Sequence, residues 1–296
     1  MLGEIEKFKG IENVEAKFSI VIPTWNNLAY LKICVGSILK NSAYKHQIII
    51  HVNDGSDGTL EWVKKQLFDY TYSKENIGIC YPLNYARTLV STKYFVYMND
   101  DMYVCPNWDK ALLEALPVGR PFFYSSTMIE PLGTANNCVI QGNYGTCPEN
   151  FKEEQLLREY AGLPFSDWSG ATWPPNILPV DLWDLVGGYS TEFSPGAYSD
   201  PDFSMKLWQA GVRDFKGVAA SRVYHFGCKT TGRILELNNG AKQFLEKWGM
   251  TAGTFTKYVL RRGEPYQGLL QEPNSSRYKV ELKRGKIKKL FAMFGQ

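Results

Sequence analysis

The alternation of strand and helix patterns in the first third of the chain restricts its fold more than any other feature. Residues 18–23 and 47–52 are apolar, β-branched runs that predict two strands, the first ending at its proline. Apolar residues at helical spacing within 28–39 and 60–67 predict a helix after each of them. A third strand is predicted over residues 94–98. Because a β-α-β-α-β order implies a parallel sheet with right-handed crossovers, the expected fold class is α/β, a mostly parallel sheet flanked by helices.

The second part of the chain is less regular. From residue 119 to 179 proline, glycine, asparagine and tryptophan dominate, and we expect a long loop region, which in a compact protein is more often functional than idle. A helix is predicted over residues 202–210, and beyond residue 235 the chain looks helical. We therefore expect one domain over residues 16–234 and a helical C-terminal extension over 235–296 that ends in a basic tail.

Composition excludes several classes of protein. The 296 residues are 44% hydrophobic, enough for a full core, and a net charge of +3 is too small to indicate nucleic-acid binding. No apolar run approaches the roughly 20 residues that cross a bilayer, and the polar N-terminus lacks a signal-peptide pattern. The six cysteines are scattered without a Cys-x-x-Cys pair, which favours free thiols. We expect a cytoplasmic protein.

The tripeptide Asn99-Asp100-Asp101 directly follows the third predicted strand. Open α/β sheets bind ligands at the carboxyl ends of their strands. Two adjacent carboxylates repel each other unless a cation or hydrogen-bond donors neutralise them. Carboxylate oxygens suit Mg²⁺ or Mn²⁺, which commonly bridge a protein carboxylate to a diphosphate. The alternative is an acidic turn that caps the next helix.

Further polar residues follow the second strand. Asp54, in a glycine-containing turn, is suited to accept hydrogen bonds from ribose hydroxyls or base N–H groups, although on these residues alone a plain strand-to-helix turn capped by Asp57 is the simpler interpretation. Asn76, Gly78 and Asn84 come before the third strand, and their alternative is a turn followed by a helix-surface asparagine.

Ser199-Asp200-Pro201-Asp202 opens the later helix. Helix capping explains a proline and an acid in a first turn. It does not explain two carboxylates that are preceded by the glycine-rich segment with Gly187 and Gly188, which would admit a ligand close to the backbone. His225 ends a predicted strand, where a lone histidine is more often structural than a ligand.

Taken in order, these segments resemble the family 2 glycosyltransferases, which are inverting, nucleotide-sugar-dependent enzymes of the GT-A fold. The resemblance extends from residue 18 to residue 232. The matching segments are Val21-Ile22-Pro23-Thr24-Trp25-Asn26, Asn53-Asp54-Gly55-Ser56, Asn76 and Gly78 with Asn84, Asn99-Asp100-Asp101, Gly187-Gly188-Tyr189, Tyr198-Ser199-Asp200-Pro201-Asp202, and His225.

The resemblance implies a role for each matching position. Asp101 would coordinate Mn²⁺ or Mg²⁺, His225 would complete the metal or diphosphate site, and Asp200 would be the general base. The substrate-binding positions would be Pro23, Thr24 and Asp54 for the nucleoside, Asp100 for the ribose or donor sugar, and Asn26, Asn76, Gly78, Asn84, Gly187, Gly188 and Asp202. Two residues depart from the family pattern, because Asn99 replaces the first acid of the Asp-x-Asp motif and Ser199 replaces the glutamate of the Glu-Asp pair.

Two segments suggest the acceptor. Trp168 and Trp173 carry flat faces that stack on sugar rings, although core packing of a long loop is an equal alternative. The basic tail from residue 277 could rest on anionic lipid, where a lipid-linked acceptor would lie, although a solvated tail is the simpler interpretation.

The resemblance predicts a nucleotide-diphosphate sugar as donor, with a UDP-sugar favoured, and a glycan or lipid-linked acceptor. Two alternatives remain open. A metal-dependent nucleotidyltransferase would share the nucleotide-binding half and release pyrophosphate. A catalytically silent sugar- or nucleotide-binding relative would bind without transfer, although both Asp101 and Asp200 are retained. A nucleic-acid acceptor has only the basic tail in its favour.

Overall fold

A mixed sheet of eleven strands organises the part of the chain that the computed structural model describes, residues 5–10, 15–132, 137–228 and 238–294. The strands are β1 (Ile5–Phe8), β2 (Ser19–Trp25), β3 (Gln47–Asn53), β4 (Asp69–Ser73), β5 (Tyr94–Tyr97), β6 (Met102–Val104), β7 (Phe122–Glu130), β8 (Val139–Gln141), β9 (Trp168–Ser169), β10 (Asn176–Pro179) and β11 (Asp214–His225).

Most of the strands run in one direction. The order across the sheet is β1-β4-β3-β2-β5-β10-β7-β11-β6, with β8 added to β7 and β9 added to β11. Parallel pairing joins β4, β3, β2 and β5, and also β8, β7 and β11, whereas β1, β10, β9 and β6 pair antiparallel to their neighbours. The carboxyl ends of β2, β3, β5, β7 and β11 therefore meet at one edge.

Helices cover both faces of this sheet. They are α1 (Leu28–Asn41), α2 (Thr59–Gln66), α3 (Cys80–Ala86), α4 (Trp108–Ala115), α5 (Glu153–Glu159), α6 (Val180–Val186), α7 (Ser199–Gln209), α8 (Gly240–Trp248), α9 (Ala252–Thr254) and α10 (Ser276–Phe294), with a π-helical turn over Phe255–Val259. Along β2, Ile20 and Ile22 pack into the hydrophobic cluster of α1 and α4, while Val21 packs into that of α3, α6 and α7. The predicted α/β class is confirmed.

Two details of the sequence-based prediction were wrong. The first strand does not end at Pro23 but continues to Trp25; β5 pairs with β2 only as far as Val21, so at Pro23 only one neighbouring strand remains. The expected loop region of residues 119–179 contains β7, which lies between β10 and β11. Because β7 is buried on both faces, it lacks the polar alternation by which a strand is recognised.

The C-terminal segment, residues 238–294, packs against the first part of the chain. Phe244 of α8 and Phe255 belong to the same hydrophobic cluster as Phe203 of α7. The proposed domain boundary between residues 234 and 235 lies outside the described residues and stays a prediction. None of the helices that the structure describes is long and apolar enough to cross a bilayer.

Candidate active site

A cavity of about 680 Å³ opens where the parallel strands end. It collects side chains from far apart in the sequence, as expected at the carboxyl edge of an α/β sheet. Of the predicted site residues, those that line it are Pro23, Thr24, Asn76, Gly78, Asp100, Asp101, Trp173, Asp200 and His225. Those that do not are Asn26, Asp54, Asn84, Trp168, Gly187, Gly188 and Asp202.

The two carboxylates of the tripeptide after β5, those of Asp100 and Asp101, have different hydrogen-bond partners. Asp100 is buried, and its Oδ2 accepts a hydrogen bond of 2.6 Å from the Thr24 hydroxyl at the end of β2. Asp101 is 5% exposed, and its Oδ2 accepts a hydrogen bond of 2.8 Å from the backbone N–H of Cys228. The two acids therefore have different partners, which reduces the cost of placing them side by side.

His225, at the end of β11, lies between two carboxylates. Its Nε2 is 3.3 Å from Asp101 Oδ2, and its Nδ1 is 2.7 Å from Glu130 Oε1, at the end of β7. Burial lowers the pKa of His225, but the charges and hydrogen bonds of Asp101 and Glu130 outweigh burial and raise it to about 10. Without a ligand the imidazole is therefore protonated at neutral pH and bridges the two acids.

A buried asparagine at the end of β3 holds the loop that contains Asn76 and Gly78. Asn53 Oδ1 accepts a hydrogen bond of 2.9 Å from Ile77 N–H, and its Nδ2 donates to the Gly78 carbonyl over 3.2 Å. Gly78 has a φ of 81°, and a Cβ there would lie 2.5 Å from the carbonyl oxygen of Pro195. Only glycine allows this approach between two cavity-lining loops.

Asp200 lies in the first turn of α7 and forms another part of the cavity wall. Its Oδ1 accepts a hydrogen bond of 3.0 Å from the Tyr189 hydroxyl. Burial raises the pKa of Asp200 to about 6, against the lowering effects of this hydrogen bond and of the charge on Arg262. A carboxyl group with this pKa is mostly ionised at pH 7 and is still basic enough to take a proton from a reacting group.

Asn84 acts on the site through Tyr189. Its side chain accepts a hydrogen bond of 2.9 Å from Tyr189 N–H and donates one of 2.8 Å to the Tyr189 carbonyl. Gly188 has a φ of 62°, and a Cβ there would lie 2.2 Å from Asn84 Oδ1. Gly187 ends α6 in the left-handed conformation. These residues thus hold the tyrosine that contacts Asp200 and do not reach the cavity themselves.

Asn26 and Asp54 form a pair outside the cavity lining. Asn26 Nδ2 donates a hydrogen bond of 2.7 Å to Asp54 Oδ2, and Asp54 Oδ1 accepts one of 3.2 Å from Ser56 N–H. Both residues have a positive φ, 46° for Asn26 and 62° for Asp54. They shape the turns after β2 and β3, next to Trp25 and Asn53 in the cavity wall.

Trp168 is a core residue. It is 4% exposed, its indole N–H donates to Thr127 Oγ1 over 3.0 Å, and its ring occupies the space above Gly217, where a Cβ would lie only 1.8 Å away. The expectation that Trp168 offers a face to a sugar was therefore wrong, since the ring is covered by the sheet.

Asp202 was also misjudged as a substrate contact. It is 0% exposed, and its Oδ1 accepts a hydrogen bond of 2.8 Å from the Trp248 indole and lies 3.0 Å from Lys247 Nζ. Both partners are at the end of α8. The carboxylate therefore joins α7 to the C-terminal segment and faces away from the cavity.

Trp173 does line the cavity, and an arginine from the C-terminal segment supports it. The guanidinium carbon of Arg262 lies 4.1 Å from the centre of a Trp173 ring. Gly170, with a φ of 85°, makes this possible, because a Cβ there would lie 2.6 Å from Arg262 Cα. Among the described residues the Arg262 guanidinium makes no hydrogen bond or ion pair.

The donor set at Asp101 and His225 fits a divalent cation. It offers one carboxylate oxygen and one imidazole nitrogen, and Glu130 holds the other ring nitrogen, as is usual for a metal-binding histidine. A cation there would replace the proton on Nε2. In the part of the chain that the structure describes, no group of three or more His, Cys, Asp and Glu side chains could hold a metal. Water and the donor diphosphate would supply the remaining ligands.

Sequence reasoning missed Glu130, Tyr189 as a hydrogen-bond partner of Asp200, and Arg262. Tyr189 stands beside the double glycine that was singled out, so its position was visible although its role was not. Glu130 ends a strand that was taken for loop. Nothing local marks Arg262, because only the folded chain brings it to Trp173.

The comparisons with known proteins agree with this geometry. Residues 19–157 match the family model described as glycosyl transferase family 2. These residues form a family 2 glycosyltransferase domain. The family assigned from the sequence motifs is confirmed over these residues, which hold the motifs as far as Asp101, and the chain is a glycosyltransferase. No curated protein gives a significant sequence match.

Solved structures show the fold of the glycosyltransferase to be GT-A. S. aureus TarS 1-349 has a TM-score of 0.56 at 13% identity, over 93% of this chain and 72% of that one. The same protein in complex with UDP-GlcNAc gives 0.56 at 12% identity, over 94% and 73%. GalNAc-T7 with UDP, GalNAc and Mn²⁺ gives 0.58 at 15% identity, over 95% of this chain and 56% of that one.

Proposed function

We propose that the glycosyltransferase moves a sugar from a nucleoside-diphosphate sugar to a hydroxyl group in a single displacement that inverts the anomeric carbon. The observation that carries the proposal is that Asp101 and Asp200 line one cavity. Asp101 would hold a diphosphate-bound cation, and Asp200, with a pKa of about 6, would be basic enough to activate a hydroxyl. UDP is the favoured nucleotide, because both structural relatives bind it in their crystals.

The donor would bind along the ends of β2, β3 and β5. Pro23, Thr24 and the loop with Asn76 and Gly78 line the cavity there. The Thr24 hydroxyl donates to Asp100 and orients its carboxylate, which in this proposal contacts a ribose or sugar hydroxyl. In this proposal Asn26 and Asp54 act from behind the wall, by fixing the two turns that the nucleoside would contact.

Mn²⁺ or Mg²⁺ is the proposed cofactor, held by Asp101 and His225. When bound, the cation would neutralise the charge that develops on the leaving diphosphate. Glu130 would keep the imidazole turned so that its Nε2 faces the cavity.

Asp200 would take the proton of the acceptor hydroxyl as the new glycosidic bond forms and the bond to the diphosphate breaks. General-base help of this kind is typically worth about 10²–10⁴-fold in rate. The Tyr189 hydroxyl directs the carboxylate by donating to Oδ1, which leaves Oδ2 for the acceptor.

The acceptor would lie against Trp173, with Arg262 behind it. The Arg262 guanidinium hydrogen-bonds to none of the described residues, and its charge lowers the pKa of Asp200, so it suits an acceptor that carries a phosphate or carboxylate, such as an anionic glycan or a lipid-linked one. The test is Arg262→Met with paired neutral and phosphorylated glycosides: the preference for the charged glycoside should fall and the KM of the donor should not change. Equal losses for both glycosides would contradict this role.

A thermal-shift panel of nucleotide sugars, with and without Mn²⁺, tests the main proposal. A UDP-sugar should raise the melting temperature, and more so with Mn²⁺, because ligands that bind only the folded state stabilise it. Asp101→Ala should abolish the Mn²⁺-dependent part and also both donor hydrolysis and transfer.

Product analysis separates the alternatives. Release of a nucleoside diphosphate supports glycosyl transfer, release of pyrophosphate would indicate a nucleotidyltransferase, and binding without turnover would indicate a non-catalytic relative. Full activity in EDTA would remove the cation from the mechanism. A cytoplasmic location, peripheral at the inner face of a membrane, is part of the proposal because it would bring the cavity to lipid-linked acceptors.

A further inference from the structure

The C-terminal helix α10 exposes an apolar stripe. Val280, Ile287 and Phe291 are spaced by seven and four residues and therefore lie within about 20° of one line along the helix. Their exposed fractions are 47%, 53% and 73%, and the neighbouring Leu290 is 55% exposed. We name these four residues the outer stripe.

The opposite side of α10 is packed against the protein. Tyr278 packs on the hydrophobic cluster of α7 and α8. Gly285 is buried, and a Cβ there would lie 3.0 Å from the carbonyl oxygen of Gly249. The orientation of the helix is therefore fixed by contacts, and the outer stripe faces solvent because the packed side faces the body of the protein.

Basic side chains border the outer stripe on both sides. At about 100° per residue, Arg277, Arg284 and Lys288 follow one edge, while Lys279, Lys283 and Lys286 follow the other, and all six are exposed. The helix has seven basic residues and one acid, Glu281, which pairs with Arg284. Its charge of +6 leaves −3 for the remainder of the chain, whose total is +3.

We propose that α10 docks the glycosyltransferase on an anionic lipid bilayer, with the outer stripe inserted at the level of the headgroups and the lysines and arginines on lipid phosphates. An apolar stripe bordered by cations on the exposed side of a surface helix suits the apolar and anionic layers of a membrane surface. A second copy of the chain does not suit the outer stripe, because pairing two α10 helices would place two net charges of +6 next to each other. The surface specifies how the proposed peripheral location at a membrane would be reached, and it does not depend on the transfer reaction.

Co-sedimentation of the whole chain with vesicles tests the surface. Vesicles of phosphatidylcholine with phosphatidylglycerol should bind the protein at least about tenfold more tightly than phosphatidylcholine alone, and added salt should weaken the binding. Ile287→Ser with Phe291→Ser should reduce the binding by about tenfold or more. Lys283→Glu with Lys286→Glu should remove the preference for the anionic vesicles.

Matched controls keep the result interpretable. Leu39→Ser with Leu185→Ser removes two equally exposed leucines, 67% and 72%, from α1 and α6 and should leave the binding unchanged. Melting temperatures verify that each variant is folded. The donor-induced thermal shift should persist in all variants, so failure of the membrane surface is distinguishable from failure of the proposed function.

Three outcomes would overturn the proposal. The first is no binding of the wild-type chain to anionic vesicles, and the second is an equal loss in the leucine control. The third is an oligomer that disappears in Ile287→Ser with Phe291→Ser while vesicle binding does not change, which would make the outer stripe a contact between proteins.

Discussion

In the proposed function the cavity has a donor side and an acceptor side, and the two are built in different ways. The donor side consists of the ends of parallel strands and the few residues that directly follow them, Thr24, Asn53, Asp100, Asp101 and His225. The acceptor side consists of the first turn of α7 and the segment around Trp173, held by the C-terminal residues. A strand end is positioned by the backbone hydrogen bonds to its neighbouring strands. A loop or a helix terminus needs contacts from elsewhere in the chain to hold its position.

That support is visible in three contacts. Asn238 exchanges hydrogen bonds of 3.2 and 3.0 Å with the backbone of Ala197, which lines the cavity. Lys247 and Trp248 hold Asp202, two residues after the base. Arg262 stacks on Trp173. The C-terminal segment is therefore a structural part of the acceptor side, and changes there should affect transfer more than donor binding.

The largest expected effect is the loss of transfer when Asp200, the proposed base, is replaced. This loss separates the acceptor side from the donor side. Asp200→Asn should lower kcat for transfer by about 10²–10⁴-fold, because the amide cannot take the proton of the acceptor hydroxyl. The donor-induced thermal shift should remain, since the carboxylate is not on the donor side. Steady-state transfer assays and the thermal-shift panel measure the two quantities.

Asp202→Asn is the matched control for that prediction. It replaces a neighbouring acid of the same helix that faces away from the cavity, so transfer should persist wherever the variant is folded, with a lower melting temperature. Substantial turnover by Asp200→Asn, or equal losses in both variants, would contradict the assignment of the base.

The two tryptophans test which of them belongs to the acceptor side. Trp168→Ala should lower the free energy of unfolding by about 3–5 kcal/mol, because it leaves a cavity in the sheet. Trp173→Ala should instead raise the KM of the acceptor and change the stability much less. Denaturant unfolding measures the loss of stability, and acceptor titrations measure the KM. A raised acceptor KM for a fully folded Trp168→Phe variant would indicate that Trp168 contacts the acceptor after all.

These residues also indicate how far the sequence predicts the molecule. The parallel strands and the donor-side residues at their ends were predictable, because hydrophobic runs and the residues after them are local patterns. The structure places Asp200 in the cavity wall, and its role as the base, which its motif implies, stays a prediction. Trp168 and Asp202 were assigned incorrectly, since a sequence does not reveal that a ring lies against Gly217 or that an acid meets α8. The position of Arg262 at Trp173 depends on a contact between segments that are distant in sequence. The strand β7 is buried on both faces. Neither feature therefore produces a local sequence pattern.

Ionisation of the buried Asp200 carboxyl group should lower the free energy of unfolding. With a pKa raised by burial from 3.8 to about 6, Asp200 binds its proton more tightly in the folded state, so its ionisation destabilises the fold as the pH rises. Asp200→Asn removes this cost and should stabilise the protein by about 1–3 kcal/mol at pH 8. The gain should shrink below pH 6 and become small near pH 4, where the folded carboxyl group is neutral and the unfolded one is only partly ionised. Urea unfolding at the two pH values measures it, and a gain independent of pH would point to packing instead.

Tyr189→Phe should have the smallest effect and tests the positioning of the base. The Tyr189 hydroxyl lowers the pKa of Asp200 by donating to it, so its removal should raise that pKa further. Because transfer needs the ionised carboxylate, the acidic limb of the kcat/KM profile should move to higher pH. At pH 8, where the carboxyl group is ionised, the loss should be about tenfold, the lower end of the range for one hydrogen bond to a charged group.

Tyr144→Phe is the matched control for this shift. Its hydroxyl also donates to a carboxylate, Glu159, over 2.8 Å, but neither residue lines the cavity. Its pH profile should therefore coincide with that of the wild type. If both variants or neither move the acidic limb, Tyr189 supports the fold rather than the base. In that case the hydrogen bonds between Asn84 and Tyr189 would only stabilise the fold. The burial of Asp200, and not its contact with Tyr189, would then set the pKa of the proposed base.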